Sequence, residues 1–219
     1  MVKKILNIVG VAGGVIGLAA SWICYFIMVD GKFQFNETLY LPLIFTIFFL
    51  GISIVSLLGL LEKNTVLRNF AATNFVNAFT CVAYPIYISI RYNIGLLSGT
   101  QTLLILGSLF FAAAGVLTIV NFKKNNPIIT YVYAGLFATG SIFLIITFRD
   151  FISILGIIGV VLSLGGAASL IFEGEYVPTV KKYSPKVDKD QVIVEKDLDE
   201  SNGEPRYWKE NGFTYADRP

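Results

Sequence analysis

Residues 5–28 read ILNIVGVAGGVIGLAASWICYFIM, a run without a single Asp, Glu, Lys, Arg or His. At ~1.5 Å per helical residue such a run is long enough to cross a hydrocarbon core of ~30 Å. Lys3 and Lys4 precede it, and Ala19 and Ala20 give it a superficial likeness to a cleaved leader. A leader's apolar segment is much shorter, whereas this one continues through Trp22, Tyr25 and Phe26 to Met28. A retained membrane helix is expected, with its aromatic end at the outer interface.

Five further stretches repeat the pattern, at residues 39–61, 69–90, 102–122, 128–148 and 151–172. The expected fold class is all-α: a polytopic membrane bundle of six transmembrane helices over residues 1–172, followed by a mostly disordered cytoplasmic tail over 173–219. Hydrophobic residues make up 55% of the chain, too many for a soluble domain of this length. Proton relays and voltage sensors keep ionisable groups at membrane depth, and these stretches have none. For the same reason they offer no group for acid/base catalysis, and the chain has no His. No enzyme activity, catalytic residue, metal or cofactor site is expected.

The distribution of Lys and Arg sets the expected topology. Lys3, Lys4, Lys63, Arg68, Lys123 and Lys124 fall on one side of the membrane, and Lys32, Arg91 and Arg149 on the other. The richer side is cytoplasmic by the positive-inside rule, which places both termini there. The loops are short, so consecutive helices form antiparallel hairpins. A net charge of +2 gives no reason to expect a nucleic-acid partner. Asn36-Glu37-Thr38 matches a glycosylation triplet, a weak signal, and Asn, Lys, Ile and Phe richness with few Arg suits an AT-biased bacterial genome better, so a bacterial plasma membrane is expected.

Small residues mark where helices approach one another, because in lipid close backbone packing replaces the hydrophobic drive. The first span carries Gly10 and Gly14, and Gly13, Gly17 and Ser21, at four-residue intervals; the sixth carries Gly156, Gly159, Ser163 and Gly166. The third span differs in being polar. Thr73, Asn77, Thr80 and Tyr84 recur at helical spacing, and Pro85 removes an amide donor close by, so a local break is expected there. This stripe reads either as a cavity lining for a neutral solute or, the preferred reading, as interhelical hydrogen bonding. On either reading Asn77→Leu is expected to perturb assembly or activity more than Phe48→Leu. Cys24 and Cys81 lie at different depths and are expected as free thiols.

After Phe172 the chain becomes polar, holding about half of all Lys and Arg and most of the Asp and Glu. Residues 173–204 are too poor in apolar groups to offset chain entropy. The end differs again: Tyr207, Trp208, Phe213 and Tyr215 alternate with charges around Asn211-Gly212. Aromatic residues anchor small interfaces, so a docking segment for a cytoplasmic or membrane protein partner is expected, with a hairpin resting on the bilayer as the comparable alternative. Two function classes follow. One is a non-enzymatic scaffold or accessory subunit with a partner-docking tail. The other is a small carrier, channel or solute-binding subunit for a neutral or amphipathic compound.

Overall fold

Helix boundaries follow local capping chemistry. Asn126 accepts a hydrogen bond from the Ile128 amide at 2.9 Å, and Pro127 takes the first helical position, where its missing N–H costs nothing. Ser153 accepts from the Gly156 amide at 3.2 Å and opens the last helix. Asn93 closes the third by adopting a left-handed conformation at φ 51°.

The computed structural model describes residues 1–35, 37–63, 65–93, 95, 99–124, 126–173, 207–210 and 213–216. It contains six α-helices: α1 (Val2–Met28), α2 (Tyr40–Leu60), α3 (Val66–Tyr92), α4 (Thr100–Lys124), α5 (Pro127–Thr147) and α6 (Ile154–Ala168). Short 3-10 turns precede α2 at Glu37–Leu39 and extend α6 through Ser169–Glu173. The chain divides into two units, Met1–Tyr176 and Val177–Pro219.

Five segments are long and apolar enough to cross a membrane: α1, α2, Gln101–Phe122, α5 and Ile154–Phe172. The expected sixth, α3, is long enough at 27 residues, but Asn69, Thr73, Asn74, Asn77 and Thr80 lower its hydropathy. The last span was expected to begin at Phe151, yet its helix begins at Ile154. Phe151 and Ile152 form a turn, both amides donating to the Phe148 carbonyl, before Ser153 caps α6. No break occurs at Pro85, and α3 runs through it as one helix.

Within the helical unit, consecutive helices pack as neighbours from α1 to α5, while α6 turns back onto α1. The α1–α6 contact is backbone against backbone. A Cβ on Gly10 would lie 2.5 Å from Gly166 Cα, one on Gly13 2.5 Å from Ser163 N, and one on Gly159 2.5 Å from Gly17 Cα. These three pairings run in opposite order along the two helices, so α1 and α6 are antiparallel. They also identify α6 as the partner of the glycine stripe in α1. Gly14 meets Ser53 of α2, and Gly17 also meets the Phe49 ring, so α1 is closely held on two sides.

α2 supplies much of the aromatic core. Phe45, Phe48, Phe49, Ile52 and Val55 are fully buried. Phe48 stacks on Phe137 of α5 at 5.7 Å and contacts Phe111 of α4, while Phe45 meets Phe148 and Phe151. This aromatic core joins the α1/α2/α6 side of the bundle to the α3/α4/α5 side. The α4–α5 turn is tied from within: Asn121 Nδ2 donates to Thr130 Oγ1 at 2.8 Å, and Asn121 Oδ1 accepts from the Asn126 amide at 2.7 Å. At the end of the bundle that holds the start of α1 and the end of α2, Lys4 and Glu62 form an exposed ion pair at 3.3 Å.

The second unit contains two antiparallel strands, β1 (Tyr207–Glu210) and β2 (Phe213–Ala216), so the described part of the tail is β-structure rather than helix. Asn211 and Gly212 between them are residue types favoured in two-residue hairpin connections. The expectation of disorder over 173–204 lies, apart from Glu173, outside the described residues.

Candidate functional site

The inward face of α3 is set by its apolar residues as much as by its polar ones. Phe70 is fully buried and its ring contacts Tyr133 and Phe137 of α5 at 5.7 and 5.2 Å. Asn74, Asn77, Cys81 and Pro85 follow at spacings of three and four and are also buried. The central polar residues are thus two carboxamides one turn apart. Asn74 Nδ2 donates to its own Phe70 carbonyl at 2.9 Å. Asn74 Oδ1 and Asn77 Nδ2 are closed off from solvent without a hydrogen-bond partner.

The four residues read from sequence as one stripe take different surroundings. Asn77 faces the centre. Thr73 is half-buried against Gly51 of α2, which leaves no room there for a Cβ. Thr80 turns its hydroxyl onto the Val76 carbonyl of its own helix at 2.7 Å. Tyr84 lies at the far end, its ring 6.1 Å from Tyr40 and 6.0 Å from Phe148. Asn74 lies outside that stripe, and its spacing from Phe70 and Cys81 is the signal that places it on the inward face.

A second polar locus was not anticipated. Asn7 is buried in α1, and its Oδ1 accepts from Ser169 Oγ at 2.6 Å. Ser56 and Ser163 are buried nearby, Ser56 against Gly10 and Gly166 and Ser163 against Gly13. Asn7 Nδ2 and both serine hydroxyls have no hydrogen-bond partner. Asn7 was legible as the one carboxamide in the first apolar run, in helical register with Gly10, Gly14 and Gly17.

At the opposite end a surface recess of about 590 Å³ opens between the start of α2 and the end of α3. Phe35, Thr38, Leu39, Tyr40, Leu43, Tyr87 and Arg91 line it. The Tyr40 and Tyr87 rings lie 4.7 Å apart.

Among the described residues no three of His, Cys, Asp or Glu gather as metal ligands would, and Cys24 and Cys81 are free. In the tail, Trp208 pairs with Tyr215, Glu210 with Phe213, and Tyr207 with Ala216.

A scan against protein-family models finds no match, and searches of curated proteins and of solved structures find none either.

Proposed function

We propose that this chain is a six-span protein of a bacterial plasma membrane with both termini in the cytoplasm. It serves as a non-enzymatic scaffold or accessory subunit whose tail docks a protein partner. Counting α3 as a sixth span is supported by its course alongside α2: Thr73 meets Gly51 at mid-height, and Tyr84 and Tyr87 meet Tyr40 at the end. An antiparallel neighbour that matches a spanning helix at both levels crosses the same thickness.

One observation carries the scaffold reading. Two polar atoms inside the bundle, Asn74 Oδ1 and Asn77 Nδ2, are closed off from solvent. A solute pathway would need them open, whereas an anchor does not. The carrier reading for a neutral or amphipathic compound draws on the same atoms, since their missing partners would be supplied by a solute in a second, open conformation.

The test is affinity purification from native membranes of the full chain and of a chain ending before Arg206. The scaffold reading expects a defined partner that is recovered with the full chain and lost with the truncated one, both bundles being folded. Equal recovery from both would reject tail docking. Reaction of a Cys placed at Asn77 with a small water-soluble maleimide would favour the carrier.

A further inference from the structure

The turn after α1 brings the chain back against the helix it has just left. α1 ends at Met28; Asp30 and Gly31 then take left-handed conformations at φ 50° and 73°, and the Gly31 amide donates to the Phe26 carbonyl at 2.8 Å. Beyond this reversal one side chain fixes the segment. The Tyr25 hydroxyl donates to the Gln34 carbonyl at 2.7 Å and accepts from the Gln34 amide at 3.0 Å. Both backbone groups of one loop residue are thus clamped by a fully buried tyrosine in the last turn of α1.

Phe33 and Phe35 flank the clamped residue. The Phe33 ring meets the Tyr25 ring edge-on at 6.1 Å, and the Phe35 ring meets Phe33 at 5.0 Å. Both stay largely uncovered, Phe33 being 51% and Phe35 92% exposed. Two adjacent uncovered rings, fixed in place by a clamp, mark a contact surface.

Position names what that surface meets. α1 is long and apolar enough to cross a membrane, so its last turn lies where a span meets the headgroups. Phe26, Ile27 and Met28 of that turn are exposed as well, and Phe26 and Phe33 both touch the Tyr25 ring, at 5.4 and 6.1 Å. The two loop rings therefore continue the apolar surface that α1 turns to lipid. Asp30 and Lys32, exposed at the reversal, supply the polar side that a segment lying in the interface keeps toward water.

We propose that Phe33 and Phe35 insert into the headgroup–acyl boundary of the leaflet at this end of α1, and that Tyr25 is the positioning residue that holds them at that depth. Bilayer lipid is the partner, and the inference rests on α1 being a span.

The full-length protein carrying Cys24→Ala and Cys81→Ala receives one further substitution, Phe35→Cys, Lys32→Cys or Val15→Cys, is labelled there with a nitroxide and is reconstituted in phosphatidylcholine vesicles. Depth is read from collisions of the label with oxygen, which concentrates in lipid, against those with a water-soluble nickel chelate. The oxygen-to-nickel ratio at Phe35→Cys should be severalfold above that at Lys32→Cys and below that at Val15→Cys, an exposed position in the middle of α1. Adding Tyr25→Phe, which keeps the ring and loses the hydroxyl, should bring the Phe35→Cys ratio down toward the Lys32→Cys value. A Phe35→Cys label as open to nickel as the Lys32→Cys label would overturn insertion, and one shielded from both reagents would overturn it by showing protein over the rings. A Phe35→Cys ratio unmoved by Tyr25→Phe would overturn the clamp. A deep label at Val15→Cys with a wet one at Phe35→Cys rejects the loop contact and leaves the span standing; a wet label at Val15→Cys removes the span and the depth drawn from it.

Discussion

Ser169 donates to Asn7 at 2.6 Å across 162 residues of sequence, fastening the end of the last helix to the start of the first. Ser169 also bonds the Gly166 carbonyl at 2.7 Å, so the hydroxyl is shared between its own helix and α1. Interhelical hydrogen bonds in membrane proteins contribute only ~1 kcal/mol each. Ser169→Ala should therefore cost about 1 kcal/mol in detergent unfolding. A melting curve identical to the parent's would show that the glycine packing beside the bond is sufficient by itself.

The glycine contact itself should be less forgiving. Gly13→Ala drives a methyl into the α6 backbone at Ser163, which cannot yield as a side chain would, and should cost roughly 1–3 kcal/mol or more. Gly135→Ala is the control, because nothing lies within 4 Å of its added Cβ. That change should be neutral or stabilise by up to ~1 kcal/mol. Equal effects of the two substitutions on melting temperature would contradict the α1–α6 register.

Sequence ranks Asn77→Leu above Phe48→Leu, whereas burial and packing lead us to expect the opposite order for stability. Phe48 is buried among Phe49, Phe111 and Phe137, so Phe48→Leu should open a gap costing roughly 1–3 kcal/mol. Asn77→Leu removes a buried donor that has no acceptor and should leave stability equal or higher. Thermal unfolding of the two variants decides between the orders. A stable Asn77→Leu protein that fails in function would revive the carrier reading.

Topology can be checked by impermeant thiol reagents on intact cells after replacing Cys24 and Cys81 by Ala. A Cys at Gly31 should react, and one at Ser201 should react only after permeabilisation. The opposite pattern would invert the orientation drawn from Lys and Arg.

Trp208 lies opposite Tyr215 in the register of the tail ladder. Trp208→Ala should weaken partner recovery by an amount typical of an interface hot spot, ~2 kcal/mol or more. Unchanged recovery would reject docking through this residue.

Particular residues explain what sequence could and could not convey. The stripe of Gly10, Gly13 and Gly17 announces close approach, but a glycine has no side chain to specify its partner, so α6 emerges only in three dimensions. The start of α6 was hidden because Phe151 and Ile152 are as apolar as the helix they precede; Ser153, three residues before Gly156, was the available capping signal. On α3 the polar residues were aligned with one another, whereas Phe70 and Cys81 define the inward direction and bring Asn74 into it. Asn7 is hard to read from sequence because one carboxamide scarcely changes the hydropathy of a long apolar run. The strands of the tail were half legible, since aromatic alternation around Asn-Gly suits a hairpin, while tail composition as a whole argues for disorder.

The pairing of α1 with α6 orders events during synthesis. α1 is translated before α6, so the part of its glycine face that meets α6 stays uncovered until α6 has been made. At ~5–20 residues per second that interval is on the order of 10 s. α2 can hold α1 meanwhile through Gly14, Gly17 and the Asn7 carboxamide, which lies against Gly59, but Gly13 meets α6 only at the end. Chains interrupted before the sixth helix therefore leave an open glycine groove in the membrane, a mark by which quality-control proteases could tell unfinished molecules from finished ones.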